Sequence, residues 1–251
     1  MTCVTVRNCP IGEGRPKVIL PIVEPTESGI LAKAREFSTL RAECVEWRVD
    51  WFDSCGDPGA VARCAQKLRV ILRDKLLLVT FRTQGEGGEK ALSHTEYLAL
   101  LGLVLDTDCA DLLDVEFFTA GEDLPALIQR AHSAGVAVVC SSHDFCKTPP
   151  CAQLVDRMVR MQQAGADLPK VAVMPQSPAD VLELLAATAE MTEHHPETPV
   201  ITMSMGALGA VSRLAGETFG SAMTFANPGH ASAPGQVSLN IVNEVLDVLH
   251  L

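Results

Sequence analysis

The stretch Cys44-Val45-Glu46-Trp47-Arg48-Val49-Asp50 decides the fold. In a strand, successive side chains point to opposite faces. Val45, Trp47 and Val49 therefore share one face, and Glu46, Arg48 and Asp50 share the other. The apolar face needs a covering layer, and the charged face needs partners or a ligand, because desolvated charge is costly alone. A parallel strand under helices, ending at the mouth of a barrel, meets both needs. The plain structural alternative is a buried Glu46–Arg48 ion pair that stitches the barrel together.

Seven further runs share this apolar character: Val18–Val23, Leu76–Phe81, Leu112–Phe117, Val136–Cys140, Val171–Met174, Val200–Met203 and Ala222–Phe225. They are continuously apolar rather than alternating, which marks parallel strands buried on both faces. Helical spacing fills the intervals. In Ala126–Ala134, Leu127, Ile128 and Ala131 share one face, and Gly135 ends the helix as a left-handed cap. Met158, Met161 and Gln162, followed by Gly165, repeat the arrangement. Eight βα units in succession predict a (β/α)8 TIM barrel, with an open doubly wound sheet as the alternative. The 251 residues suit a barrel, which typically needs about 250. With 47% hydrophobic and 4% aromatic residues, the core is built from Val, Leu, Ile, Ala and Met. Val4-Thr5-Val6 and Gly12–Pro16, ahead of the first barrel strand, are expected to form a hairpin closing the barrel floor. No linker divides residues 1–251, so one catalytic domain is expected.

A formal net charge of −11 excludes nucleic acid as a natural partner. No apolar run approaches the roughly 20 residues of a membrane helix, so no membrane partner is expected. The N-terminus lacks a basic-then-apolar signal pattern. Nine cysteines occur without a CxxC pair. Cys44, Cys64, Cys109 and Cys140 fall in or beside apolar segments as small buried hydrophobes, and a reducing cytoplasm is the expected setting.

In a parallel barrel the chemistry gathers where strands end. The third strand ends Thr80-Phe81-Arg82-Thr83, before the loop Gln84-Gly85-Glu86-Gly87-Gly88. Its glycines suggest a flexible loop able to swing Glu86 over the mouth. It lacks a Walker lysine and GxGxxG spacing, so a phosphate cradle is weakly supported. Of seven histidines, only His143, in Ser141-Ser142-His143-Asp144, stands at a strand end, where it can shuttle protons near neutrality. Lys170, in Asp167-Leu168-Pro169-Lys170-Val171-Ala172, is set in an apolar strand, where desolvation favours the nucleophilic neutral amine. Its alternative is a lysine snorkelling from a strand end. Met203 and Met205 offer soft apolar walls, although methionines at this spacing also serve as plain core. Arg213 is a further cation among apolar residues. Ala231-Ser232-Ala233-Pro234-Gly235-Gln236 looks like a lid, or else an ordinary surface loop. No HxH, HExxH or carboxylate triad marks a metal site, and no GxSxG elbow marks a serine nucleophile.

Glu46-Trp47-Arg48-Val49-Asp50, Phe81-Arg82, Glu86-Gly87-Gly88, His143-Asp144-Phe145, Pro169-Lys170-Val171-Ala172, Met203-Ser204-Met205, Ser212-Arg213 and Ala231–Gln236 together resemble the type I 3-dehydroquinate dehydratase family. The resemblance spans the chain with the motifs in order. It implies a lyase converting 3-dehydroquinate to 3-dehydroshikimate, in the shikimate route to aromatic compounds or in quinate catabolism. It implies a Schiff base on Lys170, with His143 as general acid and base, and no cofactor. Glu86 would orient His143 and raise its basicity. Arg213 would bind the substrate carboxylate, with Ser232 and Gln236 closing over it. Glu46, Arg48 and Arg82 would hold ring hydroxyls. A cytoplasmic homodimer is the implied assembly. Family members often carry a hydroxyl residue at the end of the first strand, where this chain has Pro21. The main rivals are a class I aldolase, which would need a phosphate cradle, and a catalytically dead barrel that only binds.

Overall fold

The computed structural model describes residues 2–229 and 234–250. The chain opens with an antiparallel hairpin of β1 (Val4–Val6) and β2 (Cys9–Ile11), pairing Val4 with Ile11 and Val6 with Cys9. Eight parallel strands follow: β3 (Lys17–Ile22), β4 (Cys44–Arg48), β5 (Leu76–Thr80), β6 (Leu112–Glu116), β7 (Ala137–Asp144), β8 (Leu168–Val173), β9 (Ile201–Ser204) and β10 (Met223–Asn227). From β3 to β9 each strand pairs with the next, and β10 pairs with β3. A parallel bridge between Val200 and Ser221, with Ala222 N–H donating to Val200 O at 2.8 Å, joins the β9 and β10 ends and closes the barrel. A short β11 (Val237–Ser238) adds to β10.

The connections carry α1 (Glu27–Ser38), α2 (Pro58–Leu72), α3 (His94–Asp106), α4 (Phe117–Ala120), α5 (Leu124–Ser133), α6 (Cys151–Gln163) and α7 (Pro178–His194). After β9 come α8 (Ala210–Leu214) and α9 (Gly216–Phe219), and α10 (Leu239–Leu249) ends the fold. Local chemistry sets several starts. The Thr26 hydroxyl accepts from Gly29 N–H, Asp57 caps α2 through Gly59 N–H, and Ser93 with Glu96 forms a reciprocal capping box. Gly135 and Gly165, at φ +73° and +98°, follow α5 and α6, as the helical spacing predicts.

Strand alternation divides the core in two. Val45, Trp47, Leu77, Val79, Leu113, Val115, Val171 and Val173 face outward and pack with helix residues such as Leu68, Leu101, Ile128 and Met158. Ile19, Cys44, Leu76, Leu78, Leu112, Val139, Leu168 and Ile201 face inward and form a second cluster together with Val6 and Ile11 of the hairpin. The hairpin therefore plugs the floor, and polar inward residues are left for the opposite end. Its second strand is Cys9–Ile11 rather than Gly12–Pro16, because Gly12 and Gly14 take positive φ and serve the connection to β3. Two barrel strands also depart from their apolar runs. β7 extends through Ser141, Ser142 and His143, and β8 begins at Leu168, ahead of the apolar run, which sets Lys170 inside the strand as its sequence setting predicts. Cys44, Cys64, Cys109 and Cys140 are buried, and burial holds the Cys64 thiol up at about 12. Among the described residues no helix is long and apolar enough to cross a membrane.

Candidate active site

The inward positions at the C-terminal ends of the strands converge on one cavity of about 170 Å³, lined by Glu46, Arg48, Arg82, Glu86, His143, Lys170, Met203, Met205, Arg213 and Gln236. Drug-sized pockets measure about 300–1,000 Å³, so this is the scale of one small ring. Every predicted site residue within the described part of the chain lines it. Ser232 lies outside the described residues. The end of its loop is described: Pro234 O accepts from Gly206 N–H at 3.2 Å and from Arg213 Nη2 at 3.2 Å.

On β4 the charged face is partnered, though not by a Glu46–Arg48 pair. Glu46 accepts from the Thr80 hydroxyl at 2.8 Å. Arg48 grips Asp50 bidentately, Nε to Oδ1 at 2.8 Å and Nη2 to Oδ2 at 2.6 Å. Asp50 has left the strand for a 3₁₀ turn, where its buried carboxylate also takes the backbone N–H groups of Arg82 and Glu89.

Arg82 is the hub of the charged wall. Nη1 donates to Glu116 Oε1 at 2.8 Å and to Ser141 Oγ at 3.0 Å, Nη2 lies 2.8 Å from Asp114 Oδ1, and Glu86 Oε2 is 3.7 Å from Nη1. Burial opposes the guanidinium charge, but Asp114, Glu116 and Glu86 together hold it above its ordinary range. Glu116 is saturated, since Thr83 N–H and the hydroxyls of Thr83 and Thr119 also donate to it. Asp114 and Glu116 were missed in the sequence. The signal was available: alternation from Leu112 puts both carboxyl side chains on the inward face of an apolar strand, the same pattern that singles out Glu46 and Arg48.

His143 Nδ1 lies 2.9 Å from Glu86 Oε2, the oxygen that also accepts His143 N–H at 3.1 Å. Placing the proton on Nδ1 satisfies that acceptor and leaves the Nε2 lone pair free, a tautomer assigned from this network. Burial, reinforced by Arg82, Lys170 and Arg48, pushes the imidazole well below its ordinary value, so it rests as a neutral base. Glu86 moves the other way. Burial, against the pull of Arg82, raises it to about 8. The expected orienting contact is present, while burial first and the nearby cations second hold His143 below its ordinary value. The Glu86 loop is also no swinging flap, since Glu86 is buried. Gly87, at φ +83°, faces the Phe145 ring, and a Cβ on Gly88 would fall 1.9 Å from Arg82 O. The glycines serve close packing.

A pH-dependent stability follows. Between the unfolded carboxyl value near 4.5 and the folded value of about 8, the folded chain holds a proton on Glu86 that the unfolded chain has lost. Stability therefore falls as pH rises through that window. Glu86→Gln removes this slope. Its thermal midpoint should be level with the parent at pH 4 and higher at pH 8.5, reflecting a stability difference on the order of 2 kcal/mol. Midpoints that stay parallel across that range would contradict the assignment.

Lys170 Nζ sits 3.1 Å from Asp114 Oδ2 and 4.8 Å from the centroid of the Phe225 ring. The interior thus supplies a carboxylate and an aromatic face where the sequence suggested wholly apolar surroundings. Arg213 contrasts with it. Its guanidinium is buried, and among the described residues Nη1 meets only the Met203 sulfur at 3.6 Å and Nε has no hydrogen-bond partner. No carboxylate pairs with it among the described residues, and burial lowers it to about 10. Arg48, Arg82 and Lys170, the other cations of the cavity, each have a carboxylate partner.

A barrel that brings Lys170, His143 and Arg213 to one small cavity at its strand ends defines an α/β-barrel enzyme. Known proteins make this specific. A family model for type I 3-dehydroquinase matches residues 18–251, and the chain belongs to that family of hydro-lyases. A 3-dehydroquinate dehydratase of Bacillus licheniformis is 45% identical over 247 residues, covering 98% of this chain and 97% of the relative. The crystal structure of the type I enzyme from Clostridium difficile, with covalently modified comenic acid, superposes with a TM-score of 0.96 at 44% identity, covering 99% and 98% of the two chains. The enzyme from Enterococcus faecalis gives 0.93 at 42% identity, covering 99% and 100%.

Proposed function

We propose that this chain dehydrates 3-dehydroquinate to 3-dehydroshikimate by syn elimination through an imine on Lys170, without a cofactor. The observation that carries the reading is the meeting of Lys170, His143 and Arg213 at one cavity. The Lys170 amine condenses with the ring ketone and expels water. The iminium is an electron sink, so His143 Nε2 can take a proton from the neighbouring carbon and leave an enamine. His143 then returns that proton to the hydroxyl departing from the next carbon, and hydrolysis frees the amine and a conjugated enone. One base serving both transfers is worth about 10²–10⁴ in rate.

Arg213 orients the substrate through its carboxylate, with Gln236 and Ser232 closing over it, while Glu46 and Arg48 meet ring hydroxyls. Arg82 faces the same cavity but has both terminal nitrogens engaged, so it acts mainly through its carboxylates. Met203 and Met205 keep the imine dry. Residues 1–251 serve as one catalytic domain in a cytoplasmic homodimer, which light scattering at micromolar concentration tests. Pro21 brings no hydroxyl to the end of β3.

Arg213→Met keeps the stem and removes the buried charge. KM should rise about 100-fold, near 2.7 kcal/mol, while the empty protein becomes slightly more stable, because an uncompensated buried cation is gone. An unchanged KM would remove Arg213 from the substrate site. The overall reading is tested by incubating the protein with 3-dehydroquinate, adding borohydride and mapping the adduct by peptide mass spectrometry. A reduced ligand on Lys170, with enone absorbance growing in untreated samples, is expected. Absence of both signals would overturn the proposal.

A further inference from the structure

We propose that Asp114 is the counter-ion and aiming group for the Lys170 nitrogen throughout the imine cycle, an inference that rests on the reading above. Asp114 is fully buried on β6, and both its oxygens are engaged. Oδ2 meets Lys170 Nζ at 3.1 Å, and Oδ1 accepts from Ser141 Oγ at 2.6 Å and faces Arg82 Nη2 at 2.8 Å. Among the described residues Lys170 Nζ has no other hydrogen-bond acceptor. Its second neighbour is the Phe225 ring, which attracts charge but fixes no N–H direction.

The balance of the reaction gives this arrangement its role. An ammonium and a ketone yield an iminium and one water, so nitrogen carries a positive charge before and after. Of its three hydrogens, one stays on nitrogen and two leave in the water. The remaining N–H is planar with the C=N bond, and Asp114 Oδ2 is the acceptor in reach, so this hydrogen bond sets the plane in which the carbon is presented to His143. The proton that must leave Nζ before attack passes to Asp114, the base in contact, and departs in the expelled water. Ser141 and Arg82 keep Asp114 ionised between these moments, and its carboxyl lies below the ordinary range, since Arg82 and Lys170 outweigh burial.

Other charged groups surround the pair. Arg82, beyond β5, Glu86 in the turn after it, Glu116 on β6 and Tyr97 on α3 stand on the Asp114 side. His143 on β7, with Glu46 and Arg48 on β4 and Arg213 on α8, lines the cavity before Lys170. The Cys140 thiol, raised by burial, stays uncharged behind. Among the described residues only Asp114 makes direct polar contact with Nζ.

The test is the rate of borohydride-trapped adduct on Lys170 against pH, for the parent, Asp114→Asn and Ser141→Ala. Asparagine keeps the shape and removes the charge. The midpoint of trapping should fall by about 1–2 pH units, and kcat at neutral pH should drop about 10–100-fold. Ser141→Ala leaves the carboxylate but removes a donor that draws off its charge, so the midpoint should rise by a few tenths of a unit. A purely structural role would lower kcat without moving either midpoint, and that result overturns the inference. Should Asp114→Asn fail to fold, the direction of the Ser141→Ala shift decides, a fall or no shift being fatal. Absence of any adduct in the parent overturns the imine reading itself; an adduct with an unmoved midpoint overturns only the role of Asp114.

Discussion

Replacing Lys170 by alanine lowers kcat by at least about 10⁴-fold and leaves the thermal midpoint within a few degrees of the parent. The two halves of this expectation have different origins. No other amine lines the cavity, so the covalent route is lost outright, and removing a nucleophile that acts as a unit with its base abolishes nearly all chemical acceleration. The fold survives because Asp114, though deprived of its lysine, keeps Ser141 at 2.6 Å and Arg82 at 2.8 Å as donors. Those two donors spare the carboxylate the penalty of an orphaned buried charge, about 3–5 kcal/mol. Enone absorbance and a thermal melt on the same preparation check both. Turnover within tenfold of the parent would dispose of the imine mechanism.

His143→Ala has the second largest expected effect, a loss of about 10²–10⁴ in kcat, with a distinct signature. The amine still condenses with the ketone, but proton removal and return are stranded, so borohydride traps more adduct on Lys170 at steady state than in the parent. Glu86 does not substitute. It reaches the imidazole through Nδ1, on the side away from the free Nε2 lone pair, and its carboxyl is raised to about 8. A variant at full rate, or one with less trapped adduct, would remove His143 from the proton path.

The barrel itself was legible, because eight apolar runs and their glycine stops report burial on both faces, and burial is what a sequence records most directly. Polar content hid the rest. β7 runs on through Ser141 and His143 because their side chains face the cavity, where polarity is tolerated. Composition alone makes such residues look like a loop. Gly87 and Gly88 read as flexibility, whereas the Phe145 ring and the Arg82 carbonyl leave no room for a Cβ. The motif residues within the described chain line the cavity, while for Asp114 and Glu116 alternation signals an inward carboxylate and leaves its partners across the strands unnamed. Pairing between strands 34 residues apart, as for Arg82 and Glu116, is a property of register.

The clamp around Arg82 also bears on how this site can change over generations. Arg82, Glu116 and Asp114 each complete another's hydrogen bonding or charge, so a single replacement strands a buried partner. Viable routes across that wall require compensating double substitutions, which arise rarely. On the facing wall Met205 and Ala172 carry no such obligations, and their side chains can be exchanged one at a time. Divergence toward other keto acids, whether natural or by laboratory selection, should accumulate on the apolar side while the charged side stays nearly fixed.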